Sequence, residues 1–290
     1  MAWIRRIFYI SIYINLLIAL AAVAQAALTY LLFKEEINPY ILLIEGTATM
    51  LLYNFGFMLS KPADPQASAY ARTRWVFSHE YLLWFTIIAC VGLLAFAVFH
   101  VHMATLGYLA FVGLVSVSYS LPFMRYKGKR GGLRMLPGVK LFHIALVWTL
   151  STTGLPLVEL IAAGHAIDWY LAWYHAGLRF LFLLLCTLPF DIRDIRQDAY
   201  YHLKTLATLL GKERASTLCY LIVFLHTGLL LVAPYAMELK VGLVLANLLL
   251  LLLLRLLIFK NKVHYHYVYL LDYALIVQLL LALLSSLLLA

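Results

Sequence analysis

The stretch Leu188-Pro-Phe-Asp191-Ile-Arg-Asp194-Ile-Arg-Gln-Asp198 follows an apolar run at 169–190 and holds three of the chain's thirteen acids. If the helix of that run continues through it, Asp191, Asp194 and Asp198 fall on one face, because i, i+3 and i+7 recur on one side of an α-helix. Like charges stacked over two turns repel unless a cation sits among them. Hard oxygen donors in this arrangement suit Mg2+, which keeps several waters and bridges carboxylates to a substrate's phosphates. The same residues also read as a solvated charged loop in which Arg193 and Arg196 neutralise the acids.

The apolar run ahead of this stretch is one of nine. The chain has 290 residues, of which 65% are hydrophobic and 12% charged, with a mean hydropathy of +0.92. Such a composition excludes a soluble domain. Reading at the ~20 residues needed to cross a bilayer core gives spans at 7–33, 40–60, 81–99, 103–123, 139–163, 169–190, 215–235, 239–259 and 265–290. The first run is too long for a cleaved signal segment and is expected to be a retained helix. The expected fold is therefore all-α: a polytopic membrane protein of nine transmembrane helices, forming one domain over 1–290. Cys90, Cys186 and Cys219 lie inside the runs without paired spacing, which supports neither a disulfide framework nor a zinc site.

The net charge of +9 is a topology signal. With the N-terminus inside, 19 of the 22 Lys and Arg residues flank the cytoplasmic ends of spans. Lys34 and Lys240 fall outside, and Arg179 lies within the sixth span. This is the positive-inside pattern, and no nucleic-acid partner is implied. The chain is expected in a bacterial cytoplasmic membrane, among membrane lipids, with its C-terminus outside. Three of the inner connections, 61–80, 124–138 and 191–214, are long, whereas outer ones such as 100–102 and 164–168 are short. Long loops gathered on one face of a bundle usually carry function.

Beyond the acids comes Lys204-Thr-Leu-Ala-Thr-Leu-Leu-Gly211-Lys-Glu-Arg-Ala215. Together the two stretches resemble the second aspartate-rich motif of the UbiA-type membrane prenyltransferases. Tyr119-Ser-Leu-Pro-Phe-Met-Arg125-Tyr-Lys127, after the fourth span, is similar to that family's Tyr-Ser-x-Pro-x-x-x-x-Lys segment. The resemblance covers the whole chain in topology and about forty residues in motif. It implies nine helices around a central cavity, capped on the cytoplasmic side, and a reaction that moves a polyprenyl group from its diphosphate to an aromatic or other lipid acceptor. By the same carry-over Asp191, Asp194 and Asp198 hold Mg2+, and Arg125, Lys127 and Lys204 contact the phosphates of the polyprenyl diphosphate. Tyr119 stands near the reacting carbon.

The first motif of that family departs. Its pattern, Asn-Asp-x-x-Asp-x-x-x-Asp at the cytoplasmic end of the second span, here reads Asn54-Phe-Gly-Phe-Met58-Leu-Ser-Lys61-Pro62-Ala-Asp64. The asparagine survives as a candidate substrate contact, while Phe55, Met58 and Pro62 stand where acids are expected. Asp64 comes two residues late and beyond a proline. Lys61, one turn below, is a candidate to neutralise a phosphate directly, or else an interface lysine. The intact second motif favours an enzyme; the damaged first favours a non-catalytic protein that binds an isoprenoid or a partner on the same fold. A transporter finds no support, because no broken segments recur in two halves. Glu45, Arg179 and Asp272 are the ionisable residues set deep in spans, and the expected arrangement pairs Arg179 with Asp272 or Glu45 across the bundle. The fifth span, Thr149-Leu-Ser-Thr-Thr-Gly-Leu-Pro156 with Glu159, carries too many hydroxyls for a lipid-facing helix.

The loop charges predict reporter fusions after Lys34, Gly128, His165 and Ala290 that read outside, inside, outside and outside. An inside C-terminus would remove one of the nine spans.

Overall fold

A computed structural model describes residues 2–119, 124–126, 129–133, 136–200, 204–260 and 268–289. Its helices are α1 (Ala2–Tyr13), α2 (Leu16–Phe33), α3 (Pro39–Leu59), α4 (Ala71–Ser78), α5 (Glu80–Val98) and α6 (Met103–Ser118). A two-stranded antiparallel hairpin, β1 (Met124–Tyr126) and β2 (Lys129–Gly131), follows with Arg125 opposite Arg130. The chain continues through α7 (Val139–Thr149), α8 (Leu155–Ala162), α9 (Trp169–Tyr200), α10 (Leu206–Leu210), α11 (Lys212–Val232), α12 (Met237–Leu253) and α13 (Leu270–Leu289). Short π-helical segments, Leu150–Gly154 and Leu254–Ile258, join α7 to α8 and extend α12.

Among the described residues, eight helical stretches are long and apolar enough to cross a membrane, and α6 is a shorter apolar helix at the place of the expected fourth span. The nine-helix reading therefore holds, with three differences. The first run is broken at Asn15, which sits in the left-handed region at φ 62°, a conformation asparagine tolerates better than most residues. The sixth span does not end at the membrane boundary, since α9 runs on through Pro189 to Tyr200 and carries all three aspartates on a helix. The fourth ends at Ser118, four residues before Pro122.

Helix α2 is the central element, with Gln25 and Thr29 fully buried among small residues such as Ala21, Ala22 and Ala26. Large apolar side chains, including Phe85, Ile88, Phe99, Trp173, Leu221 and Leu287, point outward. A soluble monomer rarely exposes so broad an apolar surface; lipid accommodates it.

The fifth span shows how local sequence shapes the interior. Pro156 has no N–H to give the Thr152 carbonyl, and Thr29 Oγ1 donates to that carbonyl instead, at 2.8 Å. The π-helical turn ahead of the proline presents Ser151, Thr152 and Thr153 inward, as the hydroxyl content of the span implied. At the other end of the same span, Glu159 accepts from Asn38 Nδ2, the His102 backbone N–H and Thr105 Oγ1, fastening two short connections together. The three long connections, with α4, the hairpin and α10, all lie at the opposite end of the bundle.

Helices α12 and α13 pack tightly at Gly242, where an added Cβ would collide with Ser285 Oγ and the Leu281 carbonyl oxygen. Gly242→Val is expected to lower stability by about 1–3 kcal/mol through overpacking, read as a fall in melting temperature in detergent. An unchanged melting temperature would mean that this crossing is looser than its geometry.

Candidate functional site

The loop-bearing end of the bundle encloses a cavity of about 290 Å³ between α2, α3, α4, α7, α9 and α13. Its deeper wall is apolar and aromatic, with Ile144, Trp148, Leu183, Leu275 and Tyr53. Its mouth is charged, with Asp191, Asp194, Lys140, Arg193, Arg72 and Asp272.

Lys140, in the first turn of α7, organises the mouth. Its ammonium donates to Asp191 Oδ1 at 2.8 Å and to Asp198 Oδ2 at 3.4 Å, so one cation holds two aspartates of the α9 face. Asp191 is only 1% exposed, and its second oxygen is buried with no hydrogen-bond partner among the described residues. Asp194 accepts two hydrogen bonds from Arg193, through Nε and Nη2, both at 2.7 Å. Across the cavity Arg72 Nη2 donates to Asn15 Oδ1 at 2.6 Å and to the Tyr13 carbonyl at 3.4 Å, and its guanidinium lies 4.9 Å from the centre of the Phe57 ring. Asn15 in turn donates to Asn54 Oδ1 at 2.7 Å. A second cavity of about 150 Å³ shares Tyr53 and Trp148 with the first and contains Glu45, Ser151 and Thr152.

No family model matches this sequence, and no curated protein sequence matches it either. Solved structures do. The structure of a UbiA homologue from Archaeoglobus fulgidus bound to DMAPP and Mg2+ superposes with a TM-score of 0.61 at 12% identity, covering 95% of this chain and 99% of that one. The same organism's UbiA homologue bound to GPP and Mg2+ gives a TM-score of 0.60 at 13% identity, with 94% and 98% coverage. The chain has the UbiA fold. With that fold and its apolar helices, it is an integral membrane protein.

Within the UbiA fold the residues expected from sequence are placed unevenly. Asp191 and Asp194 line the cavity, and Asp198 joins them through Lys140. Asn54 is fully buried beside it, bonded to Asn15 and, at 3.1 Å, to Thr86 Oγ1. Tyr119 is half-buried, stacked on His143 with ring centres 5.3 Å apart. Lys61 lies at the exposed surface, paired with Glu80 at 2.7 Å. Asp64 is exposed and accepts from the backbone of Gln66 and Ala67. Lys204 is exposed, and its carbonyl accepts from the Gly138 N–H at 2.6 Å. Arg125 is placed only as a backbone position in β1, and Lys127 lies outside the described residues.

The pairing expected for Arg179 is not formed. Arg179 donates to the Gln25 carbonyl at 2.7 Å, to Thr152 Oγ1 at 3.1 Å and to Thr29 Oγ1 at 3.4 Å, and approaches His175 Nε2 at 3.1 Å. Glu45 is held by Ser151 Oγ at 2.7 Å. Hydroxyls and free carbonyls of the π-helical turn and α2 therefore do the work that a counterion would have done.

Among the described residues no three acidic, His or Cys side chains form a ready-made metal cage. Two carboxylates at the charged mouth of the cavity, one with an orphaned oxygen, still fit a Mg2+ ion that takes its other ligands from water and phosphate. The α3 side does not fit one: Phe55 faces outward, Met58 packs beside Val76 and Leu83, and no acid of that helix lines the cavity.

Lys140 carries the cheapest test of the mouth. Lys140→Met leaves Asp191 buried and unpaired and is expected to cost about 3–5 kcal/mol. Adding Asp191→Asn should restore most of the loss, so a double-mutant cycle of melting free energies reads the pair. Additive losses would show that the two residues act independently.

Proposed function

We propose that the cavity binds a polyprenyl diphosphate with its headgroup at the charged mouth and its chain along the aromatic wall, and that the protein is a prenyltransferase-like enzyme of low turnover. The observation that carries this reading is the pair Asp191 and Asp194, presented by a continuous helix at the mouth of an apolar cavity in a UbiA fold. Two UbiA homologue structures of that fold hold DMAPP or GPP with Mg2+, and the same ligand class is proposed here.

The residues of the chain would divide the work. Asp191, Asp194 and Asp198 form the acidic face proposed to hold Mg2+, which when bound supplies positive charge to a departing diphosphate. Lys140 holds Asp191 and Asp198 in position. Arg125, Lys127 and Lys204 are the proposed phosphate contacts, with Tyr119 near the reacting carbon. Trp148 and Tyr53 exclude water from the allylic carbon and present π faces to positive charge developing there. An aromatic or other lipid acceptor would enter from the apolar side.

The bare α3 side favours a second reading, a non-catalytic isoprenoid-binding protein on the same fold. Losing ~4 kcal/mol of leaving-group stabilisation on that side slows ionisation by about a thousandfold. Binding suffers less, because the apolar chain supplies most of the burial. The test is to titrate the purified protein with geranylgeranyl diphosphate across Mg2+ concentrations, and then to assay diphosphate release with phenolic acceptors. Mg2+-dependent binding, lost in Asp194→Ala, with slow release is the expected result. Rapid release would overturn the impairment, and no binding at all would leave only a shared fold.

A further inference from the structure

We infer that Arg72 is a diphosphate-binding residue, a fixed guanidinium that supplies the second cationic pole on the side where α3 has no acids to hold a metal. The inference rests on the proposed diphosphate site and extends it.

Four observations converge on Arg72. It lines the 290 Å³ cavity from α4. It makes no ion pair among the described residues: Lys140 and Arg193, the other mouth cations, are engaged by Asp191, Asp198 and Asp194, while no carboxylate lies within 4 Å of Arg72. Asp272 faces the same cavity and is not paired with it. Its Nε–H is buried without an acceptor, and an orphaned buried donor is costly unless a ligand meets it. Finally, it is preorganised: Asn15 and the Tyr13 carbonyl hold Nη2, Asn54 holds Asn15, and Phe57 backs the guanidinium plane. The asparagine left over from the degenerate α3 motif thus buttresses the support of a cation.

The chemistry suits phosphate. A guanidinium remains charged at any ordinary pH and offers a planar fork of donors matched to phosphate oxygens. Unlike a metal pole, it does not depend on free Mg2+, so part of the headgroup affinity should survive when Mg2+ is removed.

Inorganic pyrophosphate is the probe for the headgroup alone, and geranylgeranyl diphosphate the probe for the whole ligand. Calorimetric titration of the full-length protein should show residual pyrophosphate binding in EDTA. Arg72→Gln should abolish that residue and weaken binding in Mg2+ by about ten- to a hundredfold, with the same factor for both ligands. Arg72→Lys, which keeps charge but loses the fork, should fall between; it replaces Arg72→Gln if melting shows that the latter does not fold. Wild-type affinity in Arg72→Gln, or a wild type that binds pyrophosphate only with Mg2+, would overturn this inference alone, leaving Arg72 as a clamp between α4 and Phe57. A wild type that binds neither ligand at any Mg2+ concentration would overturn the proposed function and this inference with it.

Discussion

One ammonium shared by two buried aspartates decides how this molecule ends at its loop-bearing side. Helix α9 leaves the apolar zone carrying three acids on two turns, which repel one another in any low-dielectric setting. Lys140 meets Asp191 and Asp198 from the start of α7, so the two helices are tied where their mutual packing would otherwise fray. The turn that delivers Lys140 depends on Gly138, whose φ of 74° suits a residue without a Cβ. The Gly138 N–H is satisfied by the Lys204 carbonyl from the connection that follows α9. Thr205 then caps α10, which packs back on α9. These charge and backbone hydrogen-bond contacts tie α7, α9 and α10 together along one side of the mouth.

Deeper in the bundle the same constraint is met differently. A charge buried in the membrane needs partners, and here the partners are neutral. Pro156 frees a carbonyl, the π-helical turn exposes hydroxyls, and α2 contributes Gln25 and Thr29, so that Arg179 and Glu45 are each satisfied without touching. Such an arrangement is rigid, because each group depends on the next. It forms a fixed polar layer on the far side of the aromatic wall of Trp148 and Tyr53, and the cavity therefore has a stiff floor beneath a charged mouth.

Much of this was legible in the sequence. Apolar runs of membrane length gave nine helices, and the i, i+3, i+7 spacing of Asp191, Asp194 and Asp198 became a real helical face once α9 proved continuous. Lys140 and Arg72 were not legible as site residues, because a count of loop cations weighs every Lys and Arg equally and says nothing of which one faces a cavity. The break at Asn15 carries no Gly or Pro signal, since asparagine enters the left-handed region without announcing it. The Arg179 pairing failed for a related reason: opposite charges are conspicuous in a sequence, whereas a carbonyl freed by a proline on another helix is not. Lys61 was open to two readings from its spacing to Asn54, a phosphate contact or an interface lysine; the chain turns after α3 and carries it to Glu80 at the surface.

The fold is shared at 12% identity with a structure that holds DMAPP and Mg2+, while no acid of α3 lines the cavity of this chain. The two facts are compatible because the fold rests on apolar packing, to which Met58 itself contributes beside Val76 and Leu83, and not on acids where Phe55, Met58 and Pro62 stand. What those positions do determine is how a leaving group is treated. A metal-held charge can depart with the diphosphate it neutralises, whereas a guanidinium anchored by Asn15 and Phe57 stays behind and keeps its hold on the anion. On the proposed reading, exchanging one for the other slows the release of product as well as the ionisation that forms it. On that reading the cavity favours retention of a prenyl diphosphate over rapid turnover.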